Sequence, residues 1–234
     1  MAVDDLYTKS LLHFDGSDAS VTFTDGSGKV WTPTGTAQID TAAKKFGTGS
    51  GIFDGDSDSI STPAHADFNT GTGAWTIDFW VSTTLGNTAT GCLVHQNTGS
   101  DISYDLSITY RVLYWNIKSG EAIQGTTLMN DGAWRHVALV RNGDVFKMYV
   151  NGTSEGGSVT ATGYSTVVCT DLFRIGVSAG SGQALTNYFP GQIDEFRFSK
   201  GIARWTTTFT SPTVAYEDVY GFPTENYPRT ILIR

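Results

Sequence analysis

Apolar and polar residues alternate with a period of two along much of this chain. In Trp75-Thr-Ile-Asp-Phe-Trp-Val81 the positions Trp75, Ile77, Phe79 and Val81 fall on one face, and Thr76, Asp78 and Trp80 on the other. Such alternation predicts a half-buried strand. The same reading predicts strands over 101–108, 110–117, 134–141, 145–150, 172–177 and 192–198. Asn142-Gly143 separates two of these runs and Asn151-Gly152 follows the second, and Asn-Gly steps are the strongest short hairpin signal. Short helical turns are expected only around 63–68 and 201–205. Many short strands without a helical period between them predict an all-β sandwich or barrel.

Composition agrees. Charged residues are 16% of the chain, against about 25% in a typical soluble domain. Thr, Ser, Asn and Gly must therefore supply the polar surface, as exposed strands and turns do. The net charge of −8 opposes phosphate backbones and anionic lipid, so nucleic acid and membrane surfaces are excluded as expected partners. No apolar run approaches the roughly 18 residues of a membrane span. Met1-Ala-Val-Asp-Asp-Leu-Tyr7 has neither the basic nor the apolar region of a secretory signal. Cys92 and Cys169 each sit in an apolar run. They read as two buried thiols, or as a disulfide in an oxidising compartment.

Several motifs resemble one family when taken in order. Leu11-Leu-His-Phe-Asp-Gly-Ser17, Lys45-Phe-Gly-Thr-Gly-Ser-Gly-Ile-Phe-Asp-Gly55, Trp134-Arg-His-Val-Ala-Leu-Val140, Met148-Tyr-Val-Asn-Gly152 and Gly191-Gln-Ile-Asp-Glu-Phe-Arg-Phe198 resemble the concanavalin A-like, laminin-G-like domains. Gly201-Ile-Ala-Arg-Trp-Thr-Thr-Thr-Phe209 is similar to the closing segment of versions found in bacteriophage structural proteins. The resemblance implies a two-sheet antiparallel jelly-roll over residues 1–212. The remaining residues, 213–234, read as a C-terminal arm that packs on its own domain or on a neighbouring subunit. The resemblance also implies a structural calcium ion between the first and last strands, with carboxylates from Asp15 and Asp194 and carbonyls near Phe46–Gly49. Alternatively, both acids accept backbone N–H bonds in turns. In a strictly alternating strand Asp194 would share the inward face of Phe196 and Phe198.

Other chemistry is sparse. A glycosidase needs two carboxylates about 5–10 Å apart, hence acids at i and i+2 or i+4 on one strand face. Asp101 and Asp105 have that spacing but are separated by Tyr104, and the adjacent Asp194 and Glu195 are expected on opposite faces. His13, His65, His95 and His136 are scattered, with no cysteine–histidine pair expected, and His136 reads as a hydrogen-bonded structural residue. Asp54-Gly-Asp-Ser-Asp58 opens like a calcium loop, but position 12 is His65, so turn chemistry is preferred. Trp80 and Trp115 are the candidate sugar-stacking aromatics. Asn151-Gly-Thr153 forms a glycosylation sequon that the hairpin turn already explains. Tyr227, Ile231, Leu232 and Ile233 give the arm an apolar tip suited to assembly. The function expected is a non-enzymatic virion component of a phage: a capsid decoration, tail or fibre-associated protein. Its expected partners are other virion subunits, in a homo-oligomer, and a cell-surface glycan. The alternative is a lectin-like carbohydrate-binding module.

Overall fold

The computed structural model describes residues 5–97, 102–118, 121–166, 168–180 and 184–218. Two antiparallel sheets of eight strands face each other, as the family resemblance implies. With strands numbered in chain order, the first sheet contains β1 (Thr8–Leu12), β4 (Gln38–Asp40), β5 (Ser50–Asp54), β7 (Trp75–Ser82), β12 (Arg135–Asn142), β13 (Val145–Val150), β14 (Thr153–Thr160) and β18 (Pro190–Lys200). The second contains β2 (Phe23–Thr24), β3 (Val30–Thr34), β6 (Ser59–Thr62), β8 (Thr90–Asn97), β9 (Ile102–Thr109), β10 (Val112–Lys118), β11 (Glu121–Gln124) and β15 (Phe173–Ile175). A small hairpin, β16 (Ser178–Ala179) with β17 (Leu185–Thr186), lies beside β8.

The inner faces supply one continuous core. Ile77, Phe79 and Val81 of β7 and Phe196 and Phe198 of β18 meet Tyr104, Leu106, Leu113, Trp115 and Phe173 from the other sheet. The rings pack edge to face, as Trp75 does against Tyr104 with centroids 5.1 Å apart and against Trp115 at 5.7 Å. Expected short helical structure appears at Ala66–Phe68 as one 3-10 turn, whereas 201–205 is irregular. Among the described residues no helix is long and apolar enough to cross a membrane. Cys92 and Cys169 are free and buried.

The first and last strands are neighbours: β1 pairs β18 with Leu12 opposite Phe196. Two β-bulges then decide which side chains gather. On β18 the partners run Trp80↔Asp194 and Asp78↔Arg197, so three steps on β18 match two on β7. Glu195 is the inserted residue, in the left-handed region at φ 53°. On β8 the partners Cys92↔Ser107 and Val94↔Leu106 leave Leu93 as an extra residue. An inserted residue breaks the period of two and re-aims the side chains beyond it.

Candidate functional site

The β18 bulge corrects the expected direction of Asp194. Ile193 and Phe196 both enter the core, while Asp194 stands opposite Trp80 on the outer face. There Asp194 Oδ2 accepts from the amides of Lys45 (2.7 Å) and Phe46 (3.0 Å). Asp15 accepts from the amide and the hydroxyl of Thr48. Both predicted calcium ligands, together with Trp80, therefore converge on residues 45–48. Between them Gly47 has φ 57°, and a Cβ there would overlap the Asp15 carboxylate. A calcium site needs several oxygen donors. This segment turns N–H groups toward one oxygen of each acid. The arrangement matches the hydrogen-bonded alternative. Asp194 Oδ1 is left buried without a partner. Burial first, and then the charge of Glu195, push the Asp194 carboxyl up to about 7 against the pull of the amides.

The same bulge places Glu195 beside Asp194 on this side of the sheet, correcting the expectation of opposite faces. Its Oε1 pairs His13 Nδ1 at 2.8 Å, and its Oε2 accepts the Tyr216 amide at 2.7 Å. One residue pair along, Arg197 donates through Nε (3.1 Å) and Nη2 (2.8 Å) to the fully buried Asp78. Tyr216 Oη donates to Asp78 Oδ2 and lies 3.0 Å from His136 Nε2. His136 thus has the structural role expected. Burial alone would raise Asp78, but the Arg197 charge and hydrogen bonds from His136 and Arg197 hold it well below the usual carboxylate range.

This polar network fastens residues 201–216 across the outer face. Trp205 and Phe209 stack with centroids 4.0 Å apart and cover Ala138, Val140 and Tyr149. The Phe209 amide bonds the Gly152 carbonyl at 3.0 Å. Trp205 also lines a groove of about 190 Å³ with Val140, Asn142, Val145, Lys147 and Thr206.

Neither predicted aromatic is available for stacking. Trp115 is 1% exposed in the inter-sheet core, because Leu113, Trp115 and Ile117 form the inward face of β10. Trp80 does face outward, but Lys45 Nζ sits 4.0 Å over its ring and Phe46 meets it edge-on. Trp205 is a half-buried aromatic beside polar groups that the alternation pattern did not select. Its signal was the run of polar residues next to it. A cysteine and a histidine are also brought together, against expectation. Cys92, His95 and Asp105 have ligand atoms within 4.8 Å of one another on the outer face of the second sheet. Asp101, Tyr227, Ile231, Leu232 and Ile233 lie outside the described residues.

The architecture is a two-sheet jelly-roll with an ordered closing segment over its outer face. The family model described as the concanavalin A-like lectin/glucanases superfamily matches residues 54–204, well over half of the chain, and the chain belongs to this laminin-G-like family. A search of curated proteins returned no match. Among solved structures, the binding domain of Paraclostridial Mosquitocidal Protein 1 is similar at a TM-score of 0.64 and 15% identity, over 84% of this chain and 49% of that one. The binding domain of botulinum neurotoxin DC, determined with rat synaptotagmin II, matches at a TM-score of 0.64 and 13% identity, over 86% of this chain and 50% of the other. Botulinum neurotoxin type C, whose cell entry depends on interaction with two ganglioside molecules, matches at 0.64 and 13%, over 85% and 49%. This chain spans about half the length of those structures, and at such identity the likeness is one of fold.

Proposed function

We propose that this chain is a non-enzymatic recognition module in a phage particle, displaying the Trp205 groove to a terminal sugar of a cell-surface glycan. The Trp205 groove itself carries the reading. Trp205, whose ring is stacked on Phe209, lines the groove beside Asn142, Lys147 and Thr206, so that apolar contact and hydrogen bonding are offered together. At about 190 Å³ it is smaller than the roughly 300–1,000 Å³ of drug-sized pockets, which suits one sugar ring. The disposition of the acids supports a binding role. Asp78 is committed to Arg197, Glu195 to His13 and the Tyr216 amide, and Glu155 to Thr126 and Thr127. The similar toxin structures, a binding domain in complex with rat synaptotagmin II and a neurotoxin whose cell entry depends on two ganglioside molecules, point the same way. The phage setting rests on the closing motif at 201–209. In that setting the C-terminal arm, residues 213–234, contributes to assembly with a neighbouring subunit through the apolar character of Tyr227, Ile231, Leu232 and Ile233.

Glycan-array screening followed by calorimetry tests the groove. Binding should weaken at least about tenfold in Trp205→Ala, as for a central aromatic anchor, and also in Asn142→Ala, which leaves the Trp205–Phe209 stack in place. No binding by the wild type at millimolar glycan would remove the glycan reading. Native mass measurement of the full chain against one ending at Asp218 tests assembly: the full chain should be oligomeric and the shortened one monomeric. The same oligomeric state in both would remove the arm's role.

A further inference from the structure

We infer that Cys92, His95 and Asp105 form a zinc site on the outer face of the second sheet, with water as the fourth ligand. The three residues belong to adjacent strands. His95 is directly opposite Asp105 and Cys92 opposite Ser107, two residues further along β9. In a regular strand Cys92 and His95, three apart, would face opposite ways. The extra residue Leu93 turns both outward, while Leu93 and Val94 enter the core.

The hydrogen bonding of His95 supplies an independent indication. Its Nε2 lies 3.1 Å from the Ala179 carbonyl, an acceptor that requires the proton on Nε2. In the neutral ring Nδ1 therefore carries the lone pair. That nitrogen is buried without a hydrogen-bond partner, in a residue only 3% exposed. It lies 3.6 Å from Asp105 Oδ1. A lone pair facing a carboxylate across that gap is repulsive unless a positive centre sits between them. The separation is long for a hydrogen bond, whereas two ligands on one tetrahedral zinc stand roughly 3.4 Å apart, given Zn–N and Zn–O bonds near 2.0–2.2 Å.

The surroundings match what metal ligands usually have. A backbone carbonyl fixes the histidine tautomer, and the Asn116 amide holds Asp105 Oδ2 at 2.8 Å. Thiolate, imidazole and carboxylate together select zinc over calcium or magnesium. Asp105, 18% exposed, gives the ion a way in. The Cys92 thiol is fully buried and lies 3.6 Å from the Val94 and Leu106 carbonyls. Burial and the Asp105 charge push it well above its ordinary value. That makes it a poor nucleophile without a metal, and zinc binding would release its proton to solvent.

The test uses the full chain stripped of metal, then given one equivalent of zinc and, separately, cobalt(II). Native mass spectrometry should show one zinc per chain. The cobalt form should show a thiolate-to-metal charge-transfer band that is absent from Cys92→Ser. His95→Gln and Asp105→Asn should each weaken zinc at least about tenfold, the scale on which even outer-sphere partners act. Asp105→Asn keeps the shape of a partly exposed residue, so it reports on the metal even if His95→Gln fails to fold. Cys169→Ser should change nothing, since Cys169 Sγ lies 3.0 Å from the Asn97 carbonyl outside the cluster. No zinc retained by the wild type, or a cobalt spectrum lacking the thiolate band, would overturn the assignment.

Discussion

A buried carboxylate with one oxygen bonded and the other bare is destabilised in its charged form, and Asp194 is such a group. Its folded value, about 7, lies above the unfolded value of about 3.9. The folded chain therefore binds the proton more tightly. That contribution is fully present below about pH 4 and is lost as the pH rises toward 7. Asp194→Asn retains an oxygen for the Lys45 and Phe46 amides and has no charge to bury. The variant should gain at least about 1 kcal/mol over the wild type between pH 5 and pH 8, read from denaturant midpoints at both values. A bound cation compensating Asp194 would reverse the sign, making the asparagine variant the less stable at pH 8 and chelator harmful to the wild type. Neither calcium nor chelator should move the wild-type midpoint through Asp15 or Asp194. The sequence placed Asp15 and Asp194 near one another because first and last strands of a jelly-roll adjoin. It did not show which way Asp194 points, since parity counting assumes no inserted residue.

Bulges explain most of what parity counting missed. An inserted residue needs no special side chain: Leu93 is an ordinary strand former, and Glu195 adopts a positive φ without being Gly or Asn. Nothing in the local pattern marks either one. Yet the first unites Cys92 with His95, and the second brings Asp194, Glu195 and Arg197 to the outer face. Trp115 was different, because Leu113, Trp115 and Ile117 already alternated with Tyr114 and Asn116 and so declared an inward face. The closing segment also depends on one backbone approach. Gly152 has φ 78°, and a Cβ there would overlap the Phe209 carbonyl. Gly152→Ala should cost about 1–2 kcal/mol for the left-handed conformation alone, plus the displaced Phe209. Its specific mark would be faster limited proteolysis between Trp205 and Tyr216 under conditions that leave the wild type intact. A variant that loses stability with no change in that cleavage would show that the seating of the closing segment does not depend on this contact.

At the scale of the whole molecule, the strands and their pairing were legible because a two-sheet sandwich repeats one rule along the chain, whereas the acid–base balance depends on contacts between distant segments. Two groups favour acid: Asp194, and His13, which burial would lower but the Glu195 hydrogen bond and charge raise. The His13 contribution is fully present below its unfolded value of about 6.5 and is lost as the pH passes its higher folded value. Asp78, Asp67, Asp5 and Glu155 act the other way. Burial opposes them, but their partners outweigh it: Arg197 and His136 for Asp78, Lys29 for Asp67, Thr8 and Arg204 for Asp5, and Thr126 and Thr127 for Glu155. Their contributions are present above about pH 4 and are lost as the pH falls through their depressed folded values. The two sets overlap in a mildly acidic window. Thermal stability should therefore be greatest between about pH 4.5 and 6 and should decline toward pH 8. In the Asp194→Asn variant the decline should be shallower, and a further His13→Gln change should flatten it again. A wild-type midpoint that rises steadily from pH 5 to pH 8 would mean that the outer-face carboxylates are compensated by charges other than those the fold supplies.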